Sequence, residues 1–250
     1  MSRLTRRQED HLARHRVVFA LAQELCNLLL HILLFGAALA PLALLLPKAQ
    51  GPTQWLAALG ASVILGAAGF LLVVVLLVRL LTWGWDGSGQ LPLGSKAAAR
   101  WGLAMMVWMV FRKSPVKSLV HSFGVLRHVV YAATGGQLHW SAVVGLGVDI
   151  TDPWATRVGP GATLGDYCIL NAHEISGGVA NCEPIFIGPN VTVGHHASIS
   201  PGVFVEQEAI VGSGALVTKN TKIPAGEVWG GMPARCLAAT DRRKPGKRPT

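Results

Sequence analysis

Almost every position from Val17 to Leu46 is apolar, and a second apolar run extends from about Trp55 to Trp83. A helix of roughly 20 apolar residues crosses the hydrocarbon core of a bilayer, and both runs reach that length. Between them Pro47-Lys48-Ala49-Gln50-Gly51-Pro52 forms a short turn. The pair predicts a two-helix transmembrane hairpin over residues 17–83. The alternative for the first run is a cleaved signal peptide. Its apolar stretch is long for one. Residues 95–134 carry shorter patterns. Trp101 to Phe111 is an apolar stretch of eleven bounded by Arg100 and Arg112-Lys113, which predicts an interfacial or re-entrant helix. Leu119, Phe123, Leu126 and Val130 then fall on one stripe, with Lys117, His121 and Arg127 off it. That is an amphipathic helix, lying on the membrane or packing under the domain that follows. His121 and His128 are expected on its solvated face.

From Val144 the period changes. Taking every sixth residue gives Val158 and Leu164, then Ile187, Val193, Ile199, Val205, Val211, Val217 and Ile223, all aliphatic. The next residue is often glycine, as at Gly159, Gly165, Gly188, Gly194 and Gly212. The fourth after the aliphatic is often small or aliphatic, as at Ala162, Val191, Ala197, Val203, Ala209 and Ala215. A fixed-period repeat of this kind marks a solenoid. Three short strands make one triangular coil, the aliphatic residue points inward onto its copy in the next coil, and the small residue fits the corner. Residues 144–238 therefore predict a left-handed parallel β-helix. Seven hexapeptides from Ile187 to Val228 fit without a gap. Val144-Gly145 and Ile150 belong to earlier coils, with a two-residue offset before Val158. The main break, Asn171 to Phe186, predicts a loop protruding near Gly177-Gly178, and repeat folds often place binding on such insertions.

Composition agrees with a membrane protein: 51% of residues are hydrophobic and only 14% charged. The net charge of +9 sits largely in residues 1–16, with Arg3, Arg6, Arg7, Arg14 and Arg16, and in the tail 239–250, with Arg242, Arg243, Lys244, Lys247 and Arg248. Such segments beside a membrane helix meet anionic lipid and fix topology. Nucleic acid is the rival partner and is not expected, because no basic face interleaved with aromatics lies inside a folded domain. The turn holds one lysine, whereas Lys96, Arg100, Arg112, Lys113, Lys117 and Arg127 follow the second helix. The positive-inside rule then places both ends in the cytoplasm, as in a multi-pass protein of a bacterial-type inner membrane with its β-helix on the cytoplasmic side. Glu24, Asn27 and His31 share one helix face. Either they serve a function inside the bilayer, or they satisfy one another near the headgroups. Cys26, Cys168, Cys182 and Cys236 show no C-x-x-C spacing, which fits a reducing compartment.

The stretch from Val158 to Ala238, closing on Val228-Trp229-Gly230-Gly231-Met232-Pro233-Ala234-Arg235, resembles the hexapeptide-repeat acyltransferase superfamily. Asn171-Ala172-His173-Glu174, the glycine-containing loop and Ile187-Gly188 are similar to the membrane-tethered C-terminal region of poly-lysine-synthetase-type nonribosomal peptide synthetases. There, too, hydrophobic helices precede the β-helix. The resemblance implies homotrimers with acyl-coenzyme A, foremost acetyl-coenzyme A, or a carrier-protein thioester bound between neighbouring β-helices. It also implies a histidine general base that takes the proton of the acceptor, a role a neutral imidazole suits. His173 is the candidate base and Glu174 its partner. Asn171 or backbone amides are candidate oxyanion donors. His195, His196 and Trp229 are candidates for binding donor or acceptor. Against these stand a coil-capping role for His173 and a solvated corner for His195 and His196. The acceptor implied by a membrane tether is lipid-linked, amphipathic or membrane-delivered, and Trp108 is a candidate to present it at the interface.

Two other classes compete. Val191-Thr192-Val193-Gly194-His195 resembles the metal-bearing coil of γ-class carbonic anhydrases, which hold zinc on three histidines across a trimer interface. Here Ser200 stands where a second ligand belongs, and the upstream place falls on Asn171 or His173, so no metal is expected. The third class is a non-catalytic trimeric scaffold for a membrane biosynthetic complex, since fold alone does not fix function.

Overall fold

A computed structural model describes residue 25 and residues 28–239. The two basic termini, the start of the first apolar run and Glu24, Cys26 and Asn27 lie outside the described residues. The chain divides into two compact units between Val73 and Val74.

The first unit holds helix α1 (Leu28–Lys48) and most of α2 (Pro52–Thr82). Both are long and apolar enough to cross a membrane. At 1.5 Å rise per residue, α1 alone is about 30 Å long. The two meet through small residues: a Cβ on Gly66 would lie 2.1 Å from the Ala38 carbonyl oxygen, so only glycine allows this approach. Phe35 packs on the buried Phe70, ring centres 6.4 Å apart, and His31 stacks on Phe35 at 6.0 Å. Most other large side chains of this unit, among them Leu33, Leu39, Val63 and Ile64, are exposed.

In the second unit the last turns of α2 lead to strand β1 (Gly89–Pro92) and helices α3 (Lys96–Lys113), α4 (Pro115–Ser122) and α5 (Gly124–Ala133). A three-sided parallel β-helix follows. Its first coil is β2 (Gln137–Leu138), β3 (Val143–Val144) and β4 (Asp149–Ile150). The second is β5 (Thr156–Val158), β6 (Thr163–Leu164) and β7 (Ile169–Leu170). A hairpin of β8 (His173–Ser176) and β9 (Val179–Cys182) interrupts the winding. The third coil is β10 (Ile185–Ile187), β11 (Thr192–Val193) and β12 (Ser198–Ile199), and the fourth is β13 (Phe204–Val205), β14 (Ile210–Val211) and β15 (Leu216–Val217). The last is β16 (Lys222–Ile223) and β17 (Glu227–Gly230), closed by an antiparallel β18 (Arg235–Ala239).

The hexapeptide register explains the core. Leu138, Val158, Ile187, Val205 and Ile223 stack along one face, and Ile150, Leu170, Ile199 and Val217 along another. All are at most 3% exposed, so the solenoid interior is dry. At the corner between the second and third faces the backbone turns left-handed at Gly147, Tyr167, His196 and Gly214 of successive coils, with φ of 67°, 58°, 56° and 68°.

Two coils depart from six. From Ile150 the next inward place is Val158, two residues late, and the surplus folds as a single 3-10 turn, Pro153–Ala155. From Leu170 the next is Ile187, eleven late. That surplus is not a loop but the β8–β9 hairpin, turned by Gly177 and Gly178 at positive φ, with β1 added antiparallel to its edge. Both insertions occupy the same corner of adjacent coils.

The expected interfacial segment is corrected. In α3, Trp101, Ala104, Val107, Trp108 and Phe111 are buried, and the Trp108 indole donates to the Ile150 carbonyl at 2.9 Å. The helix lies against the β-helix, so Trp108 is not placed to present an acceptor. The predicted amphipathic helix is broken in two at Phe123, whose backbone is extended. Gly124 follows it, and a Cβ there would come within 2.8 Å of the Trp140 carbonyl oxygen. Leu119 and Phe123 are consequently exposed while Val120, Arg127 and Val130 are buried. His121 and His128 do not face solvent either: His121 Nε2 lies 3.1 Å from the Tyr131 hydroxyl, and His128 Nδ1 donates to the Leu138 carbonyl at 2.8 Å.

Candidate active site

The doubled corner builds a polar cluster inside an otherwise aliphatic solenoid. The extra residues after β4 turn Asp152 inward until it is 1% exposed. Its backbone carbonyl accepts from the Thr156 hydroxyl at 2.9 Å and from the Ala155 amide at 3.1 Å, which pins the turn. One coil above, β8 begins at His173. Asp152 Oδ2 accepts from His173 Nδ1 at 2.7 Å, from the Ala172 amide at 3.1 Å and from the Thr151 hydroxyl at 2.6 Å. A carboxylate held this way fixes the Nδ1–H tautomer and leaves Nε2 as the basic nitrogen. Nε2 has no hydrogen-bond partner among the described residues, and the His173 side chain keeps 17% of its surface exposed. Trp101 of α3 meets the imidazole edge-on at 5.0 Å. The Trp101 indole N–H is buried and also has no partner among the described residues.

Of the residues singled out in the sequence, the structure brings Asn171 and His173 together. Asn171 Nδ2 donates to the His173 carbonyl at 2.7 Å and its Oδ1 lies 2.7 Å from the Thr151 hydroxyl. Asn171 thus holds the backbone of His173. Glu174 is corrected as the partner of the histidine. It points away along the strand, and its carboxylate accepts from Lys219 Nζ at 2.6 Å. Asp152 takes that place. Strand alternation accounts for the exchange, since successive side chains of β8 face opposite ways.

His195 and His196 are exposed at a different corner, after β11 rather than after β7. His195 Nδ1 accepts from the Asp166 amide at 3.0 Å, and His196 stacks on Tyr167 with ring centres 5.3 Å apart. Trp229 lies in the final coil. It takes the inward place that Val211 holds one coil below, and its indole donates to Glu227 at 2.7 Å. No group of three or more His, Cys, Asp or Glu side chains able to hold a metal occurs among the described residues, so the donor set of one chain does not fit a zinc triad. Asp152 is the functional candidate that sequence reasoning missed. Its only signal was the two-residue offset before Val158.

No family model matches the chain. Among curated proteins, γ-carbonic anhydrase 1 of Arabidopsis thaliana mitochondria is 39% identical over 99 residues, covering 32% of this chain and 35% of that protein. The chain thus spans about a third of the length of the plant anhydrases it matches. Galactoside O-acetyltransferase of Escherichia coli is 28% identical over 144 residues, covering 53% of this chain and 70% of its own length. The δ-poly-L-ornithine synthetase of Acinetobacter baumannii is 26% identical over 165 residues, covering 66% of this chain but 12% of the synthetase. Among solved structures, a maltose O-acetyltransferase from Clostridium difficile is 19% identical with a TM-score of 0.39, covering 53% of this chain and 88% of its own. The curated relatives thus include O-acetyltransferases and putative acetyltransferases, together with a poly-L-ornithine synthetase and anhydrases of the γ class.

Proposed function

We propose that this chain is an acyltransferase, anchored in a bacterial-type inner membrane by α1 and α2, in which His173 is the general base and Asp152 orients it. The observation that carries the reading is the 2.7 Å contact from His173 Nδ1 to a buried carboxylate. An acceptor hydroxyl or amine attacks the thioester carbonyl of acetyl-coenzyme A or of another acyl thioester. His173 Nε2 takes the acceptor's proton, and the Asp152 carboxylate stabilises the imidazolium that results. Collapse of the tetrahedral intermediate expels the thiolate, which recovers the proton from His173. The Thr151 hydroxyl and the Ala172 amide keep Asp152 in place, and Asn171 keeps the backbone of His173 in place. His195, His196 and Trp229 belong to the reading only through neighbouring copies of a homotrimer, since within one chain they stand apart from His173. Two helices long and apolar enough to cross a membrane support an acceptor delivered there.

The test is thiol release from acetyl-coenzyme A by the full chain with a panel of alcohols and amines. His173→Ala should lose about 100-fold or more of turnover, while thermal stabilisation by acetyl-coenzyme A persists. Asp152→Asn should fall in turnover, whereas Glu174→Gln should stay near wild type. Unchanged turnover in His173→Ala would sink the assignment. The relationship to the γ-class anhydrases favours a second reading, carbon dioxide hydration on a shared metal. Activity that disappears with a chelator and returns with zinc would replace acyl transfer by that reading.

A further inference from the structure

A second polar feature of this unit lies at the far end of α3 from Trp101, where α3 and α4 face the first two coils. Clefts of about 780 Å³ and 650 Å³ adjoin there and share Arg112, Lys113, Lys117 and Tyr167. Asp149 is the only carboxylate among their lining residues. It accepts from Arg112 Nε at 2.7 Å and from Arg112 Nη2, and its Oδ1 lies 3.5 Å from Lys117 Nζ. The Asp166 carboxylate also borders the cleft, accepting from the Leu146 amide at 2.8 Å, and two carboxylates against three cations still leave it positive. Lys113 is exposed and makes no ion pair among the described residues. Such a donor set fits a phosphate group, with the point charges of the two lysines and the Arg112 N–H groups that Asp149 leaves free.

The rim narrows the choice of phosphate. Leu146 lines the cleft and is 68% exposed. Ile169 lines the adjoining cleft and is 42% exposed. A small hydrophilic anion would leave these apolar groups in water, whereas an anion carrying acyl chains covers them. The floor adds a second constraint. Tyr167 and His196 stack with rings 8° from parallel at corners where the adjacent coils carry Gly147 and Gly214. A Cβ on Gly147 would meet the Tyr167 ring at 2.4 Å. The missing side chain at Gly147 thereby lets the Tyr167 ring pack against the coil below it.

We propose that this cleft binds the phosphate headgroup of an anionic lipid, with Lys113, Lys117 and the Arg112 N–H groups left free by Asp149 on the phosphate and Leu146 and Ile169 against the chains. Lipid phosphate, not nucleotide phosphate, is the occupant. The site contains neither His173 nor Asp152, so each assignment can fail without the other, although His196 lines this cleft and also belongs to the proposed trimeric reading.

The full chain, carried in micelles doped with equal phosphatidylglycerol and phosphatidylcholine, is released into a native mass spectrometer and its lipid adducts are compared. The wild type should retain phosphatidylglycerol over phosphatidylcholine. Lys113→Glu with Lys117→Gln should cut that retention about fivefold or more. Leu146→Asp should lower it as well, and Asp149→Asn, which removes the countercharge, should raise it. If the double variant does not fold, Lys113→Glu alone decides, because its side chain is exposed and unpaired. Retention unchanged in Lys113→Glu overturns the proposal. So does displacement of the lipid by coenzyme A with no effect of Leu146→Asp, which would make the cleft a nucleotide-phosphate site. Acetyl-transfer turnover measured on the same variants separates this failure from failure of the His173 assignment.

Discussion

His121 shows how a single side chain ties stability to pH. Burial, reinforced by the charges of Lys117 and Arg127, pushes its pKa down from 6.5 to about 4. The folded state therefore holds the neutral ring while the unfolded chain takes up a proton between those values. Stability from this residue is complete above pH 6.5 and is lost as pH falls toward about 4. At about 1.4 kcal/mol per pH unit the loss is on the order of 3 kcal/mol. Thermal unfolding of the full chain followed from pH 7 to pH 4 should show that slope, and His121→Gln should flatten it. An equal slope in the variant would assign it elsewhere. Asp149 works in the same direction lower on the scale. Burial opposes its ionisation, yet the Arg112 hydrogen bonds and charge, with Lys117, outweigh that and hold its carboxyl below the usual range. Its contribution is present above about pH 4 and lost on further acidification. Neither residue could be read in this way from spacing, because the stripe that seemed to turn His121 outward is cut at Phe123 by the close approach of Gly124 to Trp140.

Among elements, the strands were the most legible. A six-residue period needs no knowledge of partners, since each inward aliphatic stacks on a copy of itself. Ile199→Ala in the middle of such a stack should cost about 2–5 kcal/mol and should lower the unfolding midpoint without altering the far-ultraviolet spectrum. Insertions were less legible. The position of the break at Asn171 could be read, but not the hairpin within it nor the pairing of β9 with β1, because antiparallel partners far apart in the chain leave no periodic trace. The same limit hid Asp152. A surplus of two residues says that a corner bulges, not which side chain turns inward. Helix α3 was misread for a different reason. Eleven apolar residues between basic ends satisfy a membrane interface and a protein groove equally well. Trp108→Phe removes the donor to a buried carbonyl and should cost about 1–3 kcal/mol, seen as a lower unfolding midpoint at unchanged helix content.

For the whole molecule, the distribution of Lys and Arg about the apolar runs leads to the expectation that the β-helix faces the cytoplasm. In a chain whose Cys26, outside the described residues, is replaced by Ser, Cys236 offers a direct reading, since among the described residues it is exposed while Cys168 and Cys182 are buried. In intact spheroplasts an impermeant maleimide should leave Cys236 unlabelled and should reach it once the membrane is opened. Labelling before permeabilisation would reverse the topology. Mass in detergent, measured by light scattering, should correspond to three chains if the clefts between β-helices complete the site.

The doubled corner has a consequence beyond the histidine. Coils on either side of it keep their stacking although two and eleven extra residues have been let in at one edge. A solenoid with such a tolerant edge can acquire new chemistry piecemeal, by lengthening one turn while the rest of the scaffold stays unaltered. Transplanting residues 171–184, with the 151–155 bulge beneath them, should therefore carry the paired histidine and aspartate into a plain hexapeptide host as one cassette.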